Sequence, residues 1–236
     1  AGLTLPTPPL VRAWDGIFST EVLRTLALEG DRRDHSFTSV FTREHAVSRG
    51  RTIIEAALCA LLDEVGDESR HVEYWWRGEW ISMAAHRDVD EALCRSRTRG
   101  AAGVQRCPKW GHVLYLDVDD GVRGPTCVWE EDREPEVNGA EAAALSGAPR
   151  TLRTLHVVPA RSGRLLRFRG DMLHAVPKPP LEWVPSQRPI PDPVCTSGRR
   201  SVVLFNTWGS EPPTIPTPDE PAAPSAVAAL EALAKP

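Results

Sequence analysis

The chain has 236 residues, 41% of them apolar and 25% charged, enough for one substantial domain with an elaboration or for two small ones. Its formal charge of −4 gives no electrostatic case for nucleic acid or for an anionic membrane, and no apolar run approaches the ~20 residues that a bilayer crossing needs. Five scattered cysteines with no C-x-x-C pair argue against a disulfide framework and against a structural zinc cluster.

They read instead as reduced thiols of an intracellular, cytoplasmic protein. The opening residues lack the basic and apolar regions of a signal peptide, although the missing initiator Met leaves room for a removed targeting segment. The 22 prolines cluster at residues 6–9, 177–193 and 212–224, which predicts loops or tails there.

In chain order, residues 1–10 are Pro-rich and extended. Ser19 or Thr20 can cap a helix whose Val22, Leu23, Leu26 and Leu28 fall near one face before Gly30 stops it. Asp31 to Gly50 is polar and irregular. A second helix is signalled from Thr52 to Val65, where Ile53, Ile54, Ala57, Leu58, Leu61, Leu62 and Val65 form a wide apolar stripe. Residues 1–68 are therefore expected to be a helical elaboration packed on a core.

The core is expected to be β-rich, over residues 69–209. Val72 to Ala85 alternates and is loaded with aromatics, which suits one long strand or a hairpin through Arg77-Gly78-Glu79. Further strands are predicted at Gly111 to Val118, Gly124 to Trp129, Leu155 to Pro159, Gly163 to Phe168, Met172 to Val176 and Arg200 to Trp208. An acidic, Ala-rich insertion spans Glu130 to Arg150. Short strands separated by turn residues, with no intervening helices, predict an antiparallel sandwich or barrel. Residues 210–236 form a Pro-rich tail, with a short helix over Ala226 to Ala234.

An apolar run from Trp80 ends abruptly at His86-Arg87-Asp88. A histidine and a carboxylate two residues apart at a strand end project from the same side, so both can ligate one metal. His71-Val72-Glu73 has the same spacing, but it enters an aromatic strand, whereas His86 and Asp88 leave one. The expected third ligand is His174, on a strand of the same β region before a Pro-rich break. A facial His-Asp-His set suits non-haem Fe(II), and zinc would also accept it.

The order of motifs then resembles a known family. His86-Arg87-Asp88, Leu114-Tyr115-Leu116, Gly124-Pro125-Thr126, Gly163 to Phe168, Leu173-His174 and Arg199-x-Ser201 through Phe205 to Trp208 resemble the Fe(II)/2-oxoglutarate-dependent dioxygenases, specifically their prolyl 4-hydroxylase-like branch. The resemblance covers residues 72 to 208. It implies a mainly β (α+β) fold, a double-stranded β-helix or jelly roll with helices outside one sheet. It also implies iron held by His86, Asp88 and His174, with Tyr115 contacting 2-oxoglutarate. The basic partner of the far carboxylate is Arg199, which shares a strand face with Ser201, or Arg200, which lies on the opposite face in phase with Trp208; the sequence leaves both open. The implied reaction uses O2, releases succinate and CO2 and hydroxylates a C–H bond, with ascorbate as an auxiliary reductant. Asp88 as a carboxylate ligand disfavours halogenation. The substrate is a prolyl residue in a protein or peptide, or a small molecule.

This chain departs from the family pattern by a Pro-rich insertion from Lys178 to Gly198 before the basic residue, and by Pro125. Both lie where loops set substrate preference. Tyr74, Trp75, Trp76 and Trp80 are expected to be core rather than groove. Arg95, Arg97, Arg99 and Arg106 read as a solvated loop, and Asp90 and Glu91 as acids that draw in a nearby arginine. Two rivals share the fold: another cupin-like metal enzyme indifferent to 2-oxoglutarate, and a non-catalytic binding module.

Overall fold

The computed structural model describes residues 9–32, 38–44, 50–79, 81–96, 106–119, 124–131, 152–177 and 199–214. Several sequence expectations lie outside these residues: the extended first residues, Trp80, the side chains of Arg95, Arg97 and Arg99, most of the acidic insertion, the Lys178 to Gly198 segment, and the helix at 226–234.

The described elements are, in order, β1 (Val11–Asp15), α1 (Thr20–Asp31), β2 (Ser39–Thr42), α2 (Ile53–Glu64), β3 (His71–Glu79) and β4 (Met83–His86). There follow α3 (Glu91–Ser96), β5 (Trp110–Val118), β6 (Thr126–Glu131), β7 (Leu152–Val158), β8 (Arg164–Arg169), β9 (Leu173–Val176) and β10 (Arg199–Trp208). They build two antiparallel sheets, one of six strands in the order β1-β8-β5-β10-β3-β2 and one of four in the order β4-β9-β6-β7. The layout is mainly β and consistent with a jelly roll. Among the described residues, no helix is long and apolar enough to cross a membrane. Cys59, Cys94, Cys107 and Cys127 are free thiols.

Both longer helices begin where the sequence says they should. Ser19 caps α1 by accepting from the Val22 amide. Thr52 caps α2 in a reciprocal box, its hydroxyl accepting from the Glu55 amide while Glu55 Oε2 accepts from the Thr52 amide. Val22, Leu23 and Leu26 of α1 and Leu58, Leu61 and Leu62 of α2 are buried in one cluster with Val72, Tyr74 and Trp76 of β3, Leu114 of β5 and Phe205 of β10. Each such side chain stabilises the fold by roughly 1.5–3 kcal/mol, well above what helix propensity supplies, so packing on the large sheet holds the helices in place.

Gly30 does not stop α1, which continues to Asp31. It is a buried helical residue, and a methyl group there would fall inside the Trp76 ring. Gly30→Ala therefore sets a helix-propensity gain of about 1 kcal/mol against overpacking of a buried indole, at about 1–3 kcal/mol. The Trp76 ring is boxed into the core, so overpacking wins. We expect a net loss of up to about 2 kcal/mol in urea unfolding, and a variant more stable than the parent would refute the close approach.

Two further differences bear on the site. Residues 1–68 contribute β1 and β2 to the six-stranded sheet, in stretches of five and four residues too short to read as strands. The run from Val72 to Ala85 is neither one strand nor a hairpin: β3 joins the large sheet and β4 the small one, so the chain crosses between sheets just before the histidine. Strand propensity was legible in both halves. The corner was not, because the choice of partner strand is made by residues far along the chain, β10 for β3 and β9 for β4.

The alternation of β3 splits its aromatics. Tyr74 and Trp76 belong to the helix-side core, as the sequence suggested, so Trp75 lies on the opposite face together with Glu73 and Arg77. That second face looks onto a smaller cluster, in which Val113 and Tyr115 of β5, Leu166 and Phe168 of β8 and Val202 of β10 meet Val128 of β6. Val128 belongs to the four-stranded sheet, so this cluster lies between the two sheets and floors the site.

Candidate metal centre

β4 and β9 run antiparallel with His86 directly opposite His174, and the register slips by one residue between Met83 and His86. Such a bulge re-aims the side chains beyond it. Here it brings the two imidazoles side by side, with ring centroids 4.3 Å apart and the ring planes tilted by 53°. Asp88, just past the end of β4, completes the group: its Oδ1 is 3.7 Å from Nε2 of His86 and 3.7 Å from Nε2 of His174. The three ligand atoms lie within 4.8 Å of one another, and among the described residues no other group of three histidines, cysteines or acids is so arranged.

The imidazoles are oriented for this. His86 Nδ1 is 2.8 Å from the Ala84 carbonyl and His174 Nδ1 is 3.1 Å from the Met172 carbonyl. A carbonyl only accepts, so each ring donates from Nδ1 in this pairing and leaves Nε2 facing Asp88. Backbone carbonyls that fix tautomer and ring angle in this way are the usual outer support of a metal-binding histidine. Burial pushes His174 below the ordinary imidazole range, although the nearby Asp88 charge opposes the shift, and this favours the neutral ligand form. Phe168 packs against His174 from the cluster side at 4.8 Å. Side-chain exposure rises from 11% at His174 through 17% at Asp88 to 34% at His86, so the group opens towards solvent on the His86 side.

Arg87, between the two ligands, points elsewhere: it donates to the Asp171 carbonyl and pairs with Glu131. It thereby ties the His86–Asp88 turn to the end of β6 and to the turn that leads into β9, the strand of His174. Asp90 also has a structural role, accepting from Thr214 and from the Leu93 amide and pairing with Arg106. His71 and Glu73, the other histidine-acid pair, have partners of their own. His71 Nδ1 lies 3.0 Å from the Thr42 hydroxyl, while Glu73 accepts from Trp208 Nε1 at 3.1 Å.

The two candidate arginines also separate. Arg199 lies on the outside, 2.8 Å from Asp31 and 2.8 Å from Asp117, which removes it from any interior role. Ser201 is fully buried beside Arg200 on β10, just before the register of that strand shifts at Val202. Arg200 shares the inner face with Val202. It is 3% exposed, stands 5.2 Å over the Tyr115 ring and donates to Thr126 Oγ1 at 3.3 Å. Tyr115 is fully buried with its hydroxyl 2.7 Å from the same Thr126 oxygen. Burial pushes the Tyr115 phenol above its ordinary range, which keeps it neutral beside the guanidinium. Arg200 Nε has no hydrogen-bond partner, and among the described residues no carboxylate pairs with this buried cation. An uncompensated interior guanidinium is costly, and an anion bound against it would remove the cost.

Sequence reasoning missed Thr126 as the hydroxyl joining Tyr115 to Arg200, although it had placed that residue in a motif. It also missed Glu73 and Arg77, inner-face residues hidden in a run of tryptophans. Only the phase of β3 relative to the buried Tyr74 and Trp76 could have found them.

Burial pushes the Glu73 carboxyl up to about 7; Asn206 and Trp208 oppose the shift, and the Asp88 and Asp90 charges add to it. A carboxyl raised in the folded state stabilises fully below its unfolded value near 4.5 and loses that contribution as pH rises through 7. Glu73→Gln keeps an acceptor for both donors, because both bonds reach the same oxygen. We expect this variant to gain on the parent between pH 5 and pH 8, by on the order of 3 kcal/mol. Parallel unfolding-versus-pH curves for the two proteins would rule this out.

No protein-family model matches the chain, and comparison with curated proteins gives no match. Solved structures similar to it include HygX from Streptomyces hygroscopicus with nickel and 2-oxoglutarate bound, at 15% identity and TM-score 0.47, covering 86% of this chain and 84% of that one. A prolyl-4-hydroxylase from Pseudomonas putida is similar at 12% identity and TM-score 0.45, over 86% and 89% of the two chains. The viral collagen prolyl hydroxylase of Paramecium Bursaria Chlorella virus-1 is similar at 12% identity and TM-score 0.41, over 89% and 98%. Likeness of this degree says nothing about chemistry or substrate, which rest on the chain's own residues.

Proposed function

We propose that this protein is a non-haem Fe(II)- and 2-oxoglutarate-dependent oxygenase. The observation that carries the reading is the convergence of His86 Nε2, Asp88 Oδ1 and His174 Nε2, with both Nδ1 atoms committed to backbone carbonyls. Two neutral imidazoles and one carboxylate form a donor set that fits a divalent first-row metal, and iron suits it. When bound, iron supplies the oxidation of a C–H bond by O2, coupled to conversion of 2-oxoglutarate to succinate and CO2.

The chain's own residues do the rest. His86, Asp88 and His174 would hold the metal. Arg200 takes the far carboxylate of 2-oxoglutarate, positioned by Thr126 and by the Tyr115 ring beneath it. Phe168, Val128 and Val202 give the interior an apolar floor that excludes water from the cosubstrate. The oxidised substrate enters from the His86 side, the more exposed side of the triad. A prolyl residue in a peptide and a small molecule are the two substrate classes this reading carries, with ascorbate as an auxiliary reductant.

Anaerobic addition of Fe(II) and 2-oxoglutarate to the protein tests the reading, through the weak visible charge-transfer band of a chelated 2-oxo acid. Well-folded protein that binds iron and gives no such band would be a metalloprotein of another kind.

A further inference from the structure

We infer that Arg77 is a second cosubstrate-binding cation, gripping the carboxylate of 2-oxoglutarate that adjoins the 2-oxo group while Arg200 grips the far one. The inference rests on the oxygenase reading and assigns a residue of β3 to the same interior.

Placement is the first support. Arg77 lies on the β3 face opposite Tyr74 and Trp76, and its backbone pairs with Val202, two residues beyond Arg200 on β10. The ladder shifts register between Arg199 and Val202, so the pairing is irregular at Arg200, but Arg200 stands over Tyr115 in the same interior and its charge acts on Arg77. Arg77 also reaches across to the small sheet, where its Nη1 lies 2.8 Å from the Met83 sulfur, at the start of the strand that ends in His86. Its guanidinium therefore sits between the Arg200 side of the interior and the metal side.

The second support is charge. A thioether is a weak acceptor and no counterion. Among the described residues no carboxylate pairs with Arg77 or with Arg200. Burial, and next the Arg200 charge, push Arg77 below the ordinary guanidinium range, with the Asp88 charge opposing. Two cations that repel one another and lack partners make a poor folded interior and a good receptor for a dianion. 2-Oxoglutarate has its two carboxylates at opposite ends, which matches one cation near the metal and another further in. An arginine offers a planar fork to each.

The test separates the two ends of the ligand. 2-Oxopentanoate has the 2-oxo acid of 2-oxoglutarate and the same chain length, but lacks the far carboxylate. Anaerobic Fe(II) protein is titrated with each acid, following the visible band and, independently, the heat of binding. Arg77→Ala should weaken both acids by about 10- to 100-fold, and Arg77→Lys should restore part of the loss. Arg200→Ala should weaken 2-oxoglutarate and leave 2-oxopentanoate unchanged. Iron affinity and thermal stability of Arg77→Ala, measured alongside, should match the parent. Unchanged affinity of Arg77→Ala for both acids would overturn the assignment, as would a loss fully explained by weaker iron binding. If the parent protein binds iron but neither acid, the oxygenase reading has failed, which is a different result from failure of Arg77 alone.

Discussion

Alanine in place of His174 is expected to weaken Fe(II) binding by about 100-fold or more and to bring 2-oxoglutarate-dependent succinate release to background. Loss of an outer-shell partner already costs about 10- to 100-fold in metal affinity, and loss of a ligand should cost at least as much. His174 is the most buried of the three, and its ring is fixed by Met172 on one side and Phe168 on another, so no neighbouring donor can take its place. Asp88→Asn should approach the same result by another route. Asparagine keeps the shape and removes the charge, leaving only neutral donors for a divalent ion. The informative control is His71→Gln, from the other histidine-acid pair. Because His71 bonds Thr42 and stands apart from the triad, its replacement should leave iron binding intact. Equal iron loss in His71→Gln and His174→Ala would mean that the triad is not the centre.

His86 and Asp88 could be read from their spacing, and His174 from the expectation that a third ligand sits on a separate strand. Their geometry could not. The β4 bulge that faces His86 to His174 is a property of pairing with β9, nearly ninety residues away, and nothing in Met83-Ala84-Ala85-His86 announces it. The helices were legible because their signals are local: Ser19 and Thr52 cap, and the apolar stripes recur at helical spacing. Gly30 was misread for the same reason. Locally it is a helix stop, whereas in the fold it is the gap into which Trp76 packs. β2 escaped notice because four residues, Ser39 to Thr42, hold their shape only through β3. The choice between Arg199 and Arg200 needed the partners of each, and these come from Asp31, Asp117 and Thr126, which lie far from β10 in sequence.

That choice leads to the second large effect. Arg200→Ala should weaken 2-oxoglutarate binding by about 30-fold to several thousand-fold, because removing one member of a buried, hydrogen-bonded charge pair costs about 2–5 kcal/mol. Arg200→Lys should recover only part, since an ammonium cannot reproduce the two parallel bonds of a guanidinium. Thr126→Val, which removes the hydroxyl shared by Arg200 and Tyr115, should fall in between, near 10-fold, by loosening the guanidinium rather than deleting it. Stability should move the other way. Arg200 is a buried cation with an unpartnered Nε, so its loss should leave the unliganded protein as stable as the parent or more so. A structural arginine would instead show reduced stability with any loss of binding. Arg199→Ala supplies the contrast: its ion pairs with Asp31 and Asp117 are surface pairs worth at most about 1 kcal/mol, and 2-oxoglutarate affinity should be unchanged. Calorimetric titration of the four variants, with urea unfolding of each, decides the matter. Unaltered 2-oxoglutarate affinity in Arg200→Ala, or a large loss in Arg199→Ala, would reverse the assignment of the two arginines.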